Sequence, residues 1–458
     1  MREMRTFRAL HVIAVTIFLC GAPLFAKSAS ISQISGPIAV TAESGESYRG
    51  SNEQPVPGPG LPMPDLERVG YVQEEFVISG TVAGKPYRTS LLLRRPTDLK
   101  RFSGLVGVET IHAGGAIPFW GVGREVWAVG GHGWVAVASQ RAALENRVKK
   151  FNPARYASLY IPEAPAGPNG MAASPQDAIS QAIMTQVGML LKSNRKAGPF
   201  AGTKVRYLLM GGSSQTGGTT LRYIQQSHAA ARLPNGKPIY DGYMPMEAFS
   251  ATRIDGGDAA VIHAVGEGDF ALFRAGNPQI RFAAREDADA PKDRFREYQF
   301  AAASHVPTRG RTSTDRQGEY PSQFPTQPFY KMALLHLIDW VTQGTMPPRG
   351  LRLEQSADGV MHRDEHGNVK GGIRSPWVDV PSARIIAAAP IAPGDPNTRA
   401  QQGLQENFSP AKLTALYGTR DAYLARFYAG LDALVAARWI TAADGARYKA
   451  EEAAKPPF

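Results

Sequence analysis

Short apolar stretches of strand length alternate along the chain with stretches that have the spacing of helices. The strand-length stretches are residues 71–79, 87–94, 105–111, 134–138, 205–210, 243–246, 259–265 and 296–301. Apolar side chains recur with helical spacing at positions 179, 183, 187 and 190, and again in residues 328–341. Strands that alternate with helices predict a mostly parallel sheet that is covered by helices on both faces. The predicted fold class is therefore α/β.

The pattern changes on both sides of this alternating region, which spans residues 69–350. Residues 27–68 are rich in serine, glycine and proline and predict an extended leader on the surface. Residues 351–458 begin as a loop-rich stretch and become helical from about residue 409, where a Ser-Pro pair is a helix-start signal. We therefore expect a C-terminal extension that packs on the predicted α/β domain.

Residues 1–26 have the layout of a secretory signal peptide. Three arginines precede an apolar stretch at residues 9–25, and small residues follow it. A retained membrane anchor is the alternative, but the apolar stretch is short for a span. We expect cleavage, a periplasmic or secreted product and no membrane span afterwards. Because Cys20 is the single cysteine, the mature chain should contain no disulfide, no thiol nucleophile and no thiolate metal site.

The charge pattern argues against two classes of partner. The net charge of +11 comes partly from the signal segment, and the remaining basic residues are interleaved with acidic ones. A mixed basic surface of this kind predicts no nucleic-acid groove. The sequence contains neither an H-E-x-x-H pattern nor a cysteine pair, so we expect no metal ion and no cofactor.

One apolar stretch turns directly into a helical one, with a serine at the turn. Residues 205–226 pass from an apolar run through small residues to a helical pattern. This arrangement is typical of a nucleophile elbow, in which the residues two before and two after the nucleophile must be small. With Ser214 as the nucleophile these residues are Gly212 and Thr216, whereas Ser213 would place a glutamine there. Ser214 is therefore the predicted nucleophile.

A serine hydroxyl needs a base to take its proton and a third group to hold that base. In the chain order serine, acid, histidine, the acid follows a late strand and the histidine follows the last one. Asp269 comes shortly after the strand that ends at residue 265, and Glu267 is the nearby alternative. His305 follows the last predicted strand. Like Ser214, these residues leave predicted strands at one edge of the sheet.

As a general base, His305 must be neutral to accept a proton from Ser214. Its acidic partner favours the charged ring, whereas burial favours the neutral ring, so the sequence leaves the direction of the net pKa shift open. We expect the ionisation that controls activity to lie between about pH 5.5 and 7.5.

The oxyanion of an acyl-transfer intermediate needs backbone N–H donors. One predicted donor is Gln215, the residue after the nucleophile. The second is expected from the loop after an early strand, residues 112–115, where the donor is Ala113 or Gly114. This loop reads His-Ala-Gly-Gly and is similar to the H-G-G-type oxyanion loops of esterases.

Several short motifs, which lie between residues 71 and 381, belong to a resemblance that covers roughly residues 70 to 455. They are residues 71–80, 86–87, 93–96, 108–109, 212–217, 266–269, 304–305 and 367–381. Together these motifs resemble a bacterial family of mostly exported α/β-hydrolase-domain proteins regarded as esterases. The resemblance implies the α/β-hydrolase fold and ester hydrolysis, and it implies no particular substrate.

The family elbow has the pattern G-x-S-Q-S-G, so the resemblance implies Ser214 as nucleophile and His305 as base. Thr216 replaces a serine of the family pattern and keeps the position small. In the acid segment the family has T-E-x-D, and both Glu267 and Asp269 match it. The resemblance therefore leaves the choice of acid open.

These observations predict an exported serine hydrolase that acts on a small-molecule carboxylic ester through an acyl-enzyme. One alternative is an amidase or peptidase-like acyl hydrolase on the same scaffold. Another is a catalytically silent exported binding protein with the hydrolase fold, because a fold does not determine a function. The predicted nucleophile, acid and base together argue against the silent protein. No pattern in the sequence indicates an oligomeric state.

Overall fold

The structure is a computed structural model that describes residues 31–38, 66–163, 173–193, 196–276, 282–283, 285–314, 316–392, 395 and 397–456. The predicted signal peptide and most of the predicted leader lie outside the described residues. Within the described ranges, no helix is both long and apolar enough to cross a membrane.

A ten-stranded mixed sheet forms the centre of the described structure. Its strands, in spatial order, are β1 (Gln33–Ile38), β2 (Tyr71–Val82), β3 (Lys85–Pro96), β5 (Gly133–Val137), β4 (Leu105–Thr110), β6 (Tyr207–Ser213), β7 (Gly242–Met246), β8 (Ala260–Gly266), β10 (Asp293–Phe300) and β9 (Ala288–Ala290). The strands from β5 to β10 in this order are parallel. Antiparallel strands lie on both sides of them.

Helices connect the parallel strands and cover the sheet. They are α1 (Pro118–Val129), α2 (Arg141–Ala143), α3 (Lys149–Phe151), α4 (Pro153–Tyr156), α5 (Ala173–Lys192), α6 (Gln215–Gln226), α7 (Glu267–Gly276) and α8 (Gln327–Gln343), with π-helical residues Leu144–Val148 between α2 and α3. A proline lies in the first turn of both α1 and α8, where its missing N–H costs no hydrogen bond. After α8, Gly344 adopts the left-handed conformation that ends many helices.

The apolar runs of the sequence form strands that are covered on both faces. Every residue of β4, β5, β7 and β8 is buried. Successive side chains in a strand point to opposite faces of the sheet, so complete burial requires that both faces are covered. Two adjacent residues of β7 illustrate this. Gly242 faces Leu337 of α8, whereas the ring of Tyr243 packs on Tyr223 of α6. Parallel strands of this kind need apolar residues at successive positions.

The C-terminal extension adds a small second sheet and four helices to the described structure. Its elements are α9 (Pro376–Asp379), β12 (Ala383–Ile386), β13 (Leu404–Asn407), α10 (Pro410–Tyr417), α11 (Arg420–Ala436) and α12 (Ala442–Ala453). β13 pairs with β12 and with β11 (Tyr320–Pro321), which precedes α8. The extension therefore shares a sheet with the segment that follows β10.

Polar contacts attach the extension to the central domain. The amino group of Lys331 in α8 is buried and lies 2.9 Å from a carboxylate oxygen of Asp444 in α12. In the loop before α9, the N–H of Ile373 donates to the carbonyl oxygen of Gln299 in β10 at 2.7 Å. A buried amino group needs such a carboxylate partner, since an unpaired buried charge is strongly unfavourable.

The predicted α/β fold, with a mostly parallel sheet covered by helices and a helical C-terminal extension, is confirmed. Three of the described strands differ from the sequence analysis. β1 lies within the predicted leader, β12 lies within the stretch expected to be loop-rich, and β13 lies just after it. Each of these short strands is peripheral, and such strands lack the long apolar run that identifies a buried strand.

Candidate active site

β6 passes into α6 through one residue, Ser214, whose backbone has φ = 55° and ψ = −120°. A positive φ is unfavourable for a residue with a side chain, so the surrounding contacts must hold this turn. The N–H of Ser214 donates to the carbonyl oxygen of Met246 in β7 at 3.0 Å, and the N–H of Gly218 donates to the carbonyl oxygen of Ser214 at 2.8 Å. The Ser214 side chain is partly exposed at the carboxyl ends of the parallel strands.

The small residues around the serine are required by close backbone approach. A Cβ atom on Gly212 would lie 2.6 Å from the carbonyl oxygen of Thr216, and one on Gly217 would lie 2.1 Å from the carbonyl oxygen of Met246. The Thr216 hydroxyl accepts the N–H of Ser213 at 3.0 Å and donates to its carbonyl oxygen at 2.9 Å. The threonine that departs from the G-x-S-x-G pattern therefore stabilises the turn.

Three side chains from different strand ends meet at this turn. Nε2 of His305 lies 3.0 Å from Oγ of Ser214, and Nδ1 of the same ring lies 2.6 Å from Oδ1 of Asp269. Asp269 is fully buried in the first turn of α7, and its other oxygen accepts the N–H of Gly266 at 2.6 Å. The arrangement can pass a proton from the serine to a ring whose orientation is set by a carboxylate.

Glu267, the alternative acid, contacts other groups. One of its oxygens accepts a hydrogen bond from the guanidinium of Arg363, and the other accepts the N–H of Ala302 at 2.9 Å. Arg363 belongs to the C-terminal extension, and Ala302 lies in the loop after β10 that carries His305. The structure therefore brings Asp269 against His305 and places Glu267 as a link between that loop and the extension.

The environment of His305 favours the charged ring. Burial lowers its pKa, but the hydrogen bond to Asp269 and its charge, together with the charge of Glu247, outweigh burial and raise the pKa to about 9. The sequence had left the direction of this pKa shift open, and the structure favours an increase. Because two carboxylates act on the ring, the structure favours a midpoint at or above the upper end of the interval of about pH 5.5 to 7.5 that was expected from the sequence.

The two halves of the predicted oxyanion site lie next to each other. Gln215 is the first residue of α6, where backbone N–H groups have no partner within the helix. The N–H of Ala113 lies 3.3 Å from the side-chain oxygen of Gln215, whereas the N–H of Gly114 donates to Nδ1 of His112 at 2.8 Å. Of the two alternatives in the loop, the N–H of Ala113 therefore faces the elbow, and that of Gly114 is used within the loop.

His112 stabilises this loop as a neutral ring. Burial lowers its pKa, and so do the positive charges of His305 and Arg147. A neutral imidazole has one nitrogen that can accept a hydrogen bond, and the contact with Gly114 identifies it as Nδ1. His112 therefore shapes the loop between β4 and α1 and is not in hydrogen-bonding contact with the serine.

A buried glutamate in the motif at residues 108–109, for which the sequence analysis predicted no role, anchors the other end of this loop. The Glu109 carboxyl in β4 accepts the N–H groups of Phe119 and Trp120, the first turn of α1, at 3.0 and 2.7 Å. It also accepts the indole N–H of Trp134 at 2.9 Å. Burial raises the pKa of Glu109 to about 8 despite these donors. Because a carboxyl at a helix N-terminus satisfies free N–H groups, Glu109 determines where the loop meets α1.

Glu247 is a second acid that the sequence analysis missed. It follows β7 directly, and Asp269 lies three residues after the end of β8, so both acids lie at the same edge of the sheet. The Ser213 hydroxyl donates to its carboxyl. The signal that could have identified it is an acidic residue immediately after an apolar strand-length stretch.

Metal-ligating side chains form no group of three or more among the residues that the structure describes. Two buried histidines outside the site have polar partners of their own. His228 lies 2.8 Å from the hydroxyl of Tyr243 and 2.9 Å from Asp258, and His263 lies 3.4 Å from Glu297. These contacts support a structural role for both rings.

Solved structures that are similar to the chain include three esterases. An acetyl xylan esterase from Paenibacillus sp. R4 is 11% identical, with 50% of this chain and 77% of that chain covered and a TM-score of 0.29. A glucuronoyl esterase from Solibacter usitatus is 12% identical, with the same coverage and a TM-score of 0.27. A promiscuous CE15 esterase from a marine bacterial metagenome is 9% identical, again with 50% and 77% covered, and has a TM-score of 0.28. Likeness this distant carries no argument about substrate or mechanism.

Comparison of the sequence with family models identifies the family of the chain. No curated protein matches its sequence. A family model described as an alpha/beta hydrolase domain matches residues 34–450, which include the elbow, the acid, the histidine and most of the C-terminal extension. The chain therefore belongs to the alpha/beta hydrolase domain family.

Proposed function

We propose that this protein is an exported serine hydrolase that cleaves small-molecule carboxylic esters through an acyl-enzyme. The observation that carries the proposal is the position of His305. Its ring lies 3.0 Å from the hydroxyl of Ser214 and 2.6 Å from the carboxylate of Asp269. Serine becomes an effective nucleophile when a base in this position is held by a third group.

In the acylation step, Oγ of Ser214 attacks the ester carbonyl while its proton moves to Nε2 of His305. The resulting tetrahedral intermediate collapses when the carbon–oxygen bond to the alcohol breaks. His305 then returns the proton to the departing alcohol, and the acyl group remains on Ser214. Asp269 holds the ring and stabilises its charge throughout this step.

Backbone N–H groups of Gln215 and Ala113 would stabilise the negative oxygen of that intermediate. In the structure, the side-chain oxygen of Gln215 lies 3.3 Å from the N–H of Ala113, and its amide group is also hydrogen-bonded to Gln140. A substrate carbonyl that uses the Ala113 N–H takes the place of this side-chain oxygen. Gln215 therefore moves aside when substrate binds.

In the deacylation step, a water molecule replaces the alcohol. His305 removes a proton from the water as it attacks the acyl-enzyme, and it returns that proton to Oγ of Ser214 when the acid leaves. The residues that catalyse the first step thus catalyse the second. The mechanism uses no cofactor and no metal ion.

Labelling with a fluorophosphonate probe and hydrolysis of p-nitrophenyl acetate test the proposal on the mature chain. Ser214→Ala should abolish labelling and reduce kcat/KM by about 10⁴-fold or more, because the members of a triad act as a unit. Ser213→Ala is the matched control and should retain most of the activity. If Ser213→Ala were the inactive variant instead, the nucleophile would be Ser213.

The same experiment separates the alternatives. Wild-type protein that binds no probe and hydrolyses no ester would support a catalytically silent binding protein. Faster cleavage of p-nitroanilides than of matched p-nitrophenyl esters would support an amidase or peptidase-like hydrolase. A panel of esters with varied acyl chains then narrows the substrate class.

A further inference from the structure

Glu247 is held at the elbow by the strands on both sides of it. Its backbone has φ = 52°, and its N–H donates to the carbonyl oxygen of Ala264 in β8 at 2.9 Å. The preceding residue, Met246, accepts the N–H of Ser214. A positive φ is uncommon for glutamate, so the neighbouring strands impose this backbone conformation. The chain thus holds a carboxyl beside the nucleophile at a conformational cost.

The Glu247 carboxyl interacts with groups from four different parts of the structure. It accepts the hydroxyl hydrogen bond of Ser213, the last residue of β6. The buried Tyr330 of α8 lies beside it, and Asp269 of α7 and His305 of the loop after β10 interact with it electrostatically. Two carboxyl groups, from the ends of β7 and β8, therefore act on one histidine.

The negative charge of ionised Glu247 and the positive charge of protonated His305 stabilise each other. Burial raises the pKa of Glu247 to about 7, and the positive charge of His305 opposes that rise. Burial lowers the pKa of His305, while the charges of Asp269 and Glu247 raise it. A negative charge on Glu247 thus stabilises a proton on the ring, and the reverse also holds.

We propose that Glu247 is a positioning residue for the proposed ester hydrolysis, and that its carboxylate acts with that of Asp269 to stabilise the imidazolium of His305 that forms as Ser214 attacks. This inference rests on the proposed function. Glu247 makes and breaks no bond in the reaction, since the proton moves between Ser214, His305 and the leaving alcohol. Its contribution requires the ionised carboxylate, so it is fully present in alkaline solution and is lost around neutral pH as Glu247 takes up a proton.

Two matched pairs of side chains test the charge separately from the shape. Glu247→Gln keeps the length of glutamate and removes the charge. Glu247→Asp and Glu247→Asn both introduce a shorter side chain, and the two new side chains differ only in charge. Aspartate and asparagine also tolerate a positive φ better than most residues. The dependence of kcat/KM on pH is measured with p-nitrophenyl acetate for wild type and all three variants.

We expect the uncharged variants to differ from the charged ones. In Glu247→Gln and Glu247→Asn, the midpoint of the rise in kcat/KM should move to lower pH by about one unit, because a charge that favours the imidazolium is lost. The plateau should fall roughly tenfold. Glu247→Asp should keep the wild-type midpoint. In an Asp269→Asn background, Glu247→Gln should cost a larger factor, since no carboxylate then remains beside the ring.

A structural role alone predicts a different result. If Glu247 only fills space beside Ser213, Glu247→Asp and Glu247→Asn should behave alike, and Glu247→Gln should be the mildest change with an unshifted midpoint. That outcome, or a pH profile of Glu247→Gln that superimposes on wild type, would overturn the inference. Ser214→Ala is measured alongside, because activity that survives it rejects the proposed hydrolase itself rather than the role of Glu247.

Discussion

Replacing Asp269 by asparagine tests the proposed acid most directly. Asparagine has the shape of aspartate without its charge, and its oxygen can still accept the N–H of Gly266. Its NH₂ group would then face Nδ1 of His305. The ring proton would be forced onto Nε2, the nitrogen that must accept the proton of Ser214.

The size of the loss follows from the charge on His305. Burial lowers the pKa of this ring, and Asp269 contributes most to the opposing rise, which brings the pKa to about 9. A rise from 6.5 to this value corresponds to about 3 kcal/mol in favour of the imidazolium. Because the imidazolium forms as the serine attacks, kcat/KM should fall at least about 10²-fold. The wrong tautomer should bring the loss towards about 10⁴-fold.

Hydrolysis of p-nitrophenyl acetate on the alkaline plateau measures this loss, with Glu267→Gln as the control. Glu267 is buried, but its contacts are the guanidinium of Arg363 and the N–H of Ala302. A glutamine oxygen can keep the contact with Ala302, and Arg363 is substantially exposed. We therefore expect less than about a tenfold loss in this variant, since ion pairs that reach solvent contribute little.

The ranking of the two variants is decisive. Equal losses would show that the charge beside His305 does not matter to the reaction. A larger loss in Glu267→Gln than in Asp269→Asn would transfer the role of the acid to Glu267. Rates of fluorophosphonate labelling at the same pH provide a second measurement that is independent of the ester.

Three further results are expected. Gly217→Ala should lower the free energy of unfolding by about 1–3 kcal/mol and reduce ester hydrolysis, because its Cβ would lie 2.1 Å from a backbone oxygen of β7. In thermal unfolding, the control Gly218→Ala should change little, because its Cβ meets only the end of an arginine side chain at 3.2 Å. His305 is active as a base when it is neutral, and its pKa is raised, so kcat/KM should rise with pH with a midpoint above 6.5. A kcat/KM that falls as the pH rises above 6.5 would exclude His305 as the base. Mass spectrometry of the protein from its native host should find a mature N-terminus between residues 27 and 31, and an intact first methionine would contradict export with cleavage.

The elbow could be predicted because its chemistry restricts residues that are adjacent in the chain. A strand that turns within one residue into a helix leaves no room for large side chains at Gly212 and Gly217. The apolar run before the turn and the helical pattern after it are equally local. The order of Ser214, Asp269 and His305 could also be predicted, since parallel strands place their carboxyl ends at one edge of the sheet.

The choice between two acids in one helical turn depended on geometry that the sequence does not contain. Glu267 and Asp269 are two residues apart in α7, which places them about 200° apart around the helix. One therefore faces His305 and the other faces the C-terminal extension. Both satisfy the same sequence pattern, so only the direction of the helix relative to β10 separates them.

The α/β alternation, the elbow and the serine at its turn could be predicted from local sequence patterns, because each depends on residues close together in the chain. Only the folded chain shows that Asp269 touches His305, and that the N–H of Ala113 rather than that of Gly114 faces the elbow. The tertiary structure also brought Glu247 beside Ser213 and raised the pKa of His305. These features arise from distances and charges between residues far apart in sequence, and such distances exist only once the strands have been placed side by side.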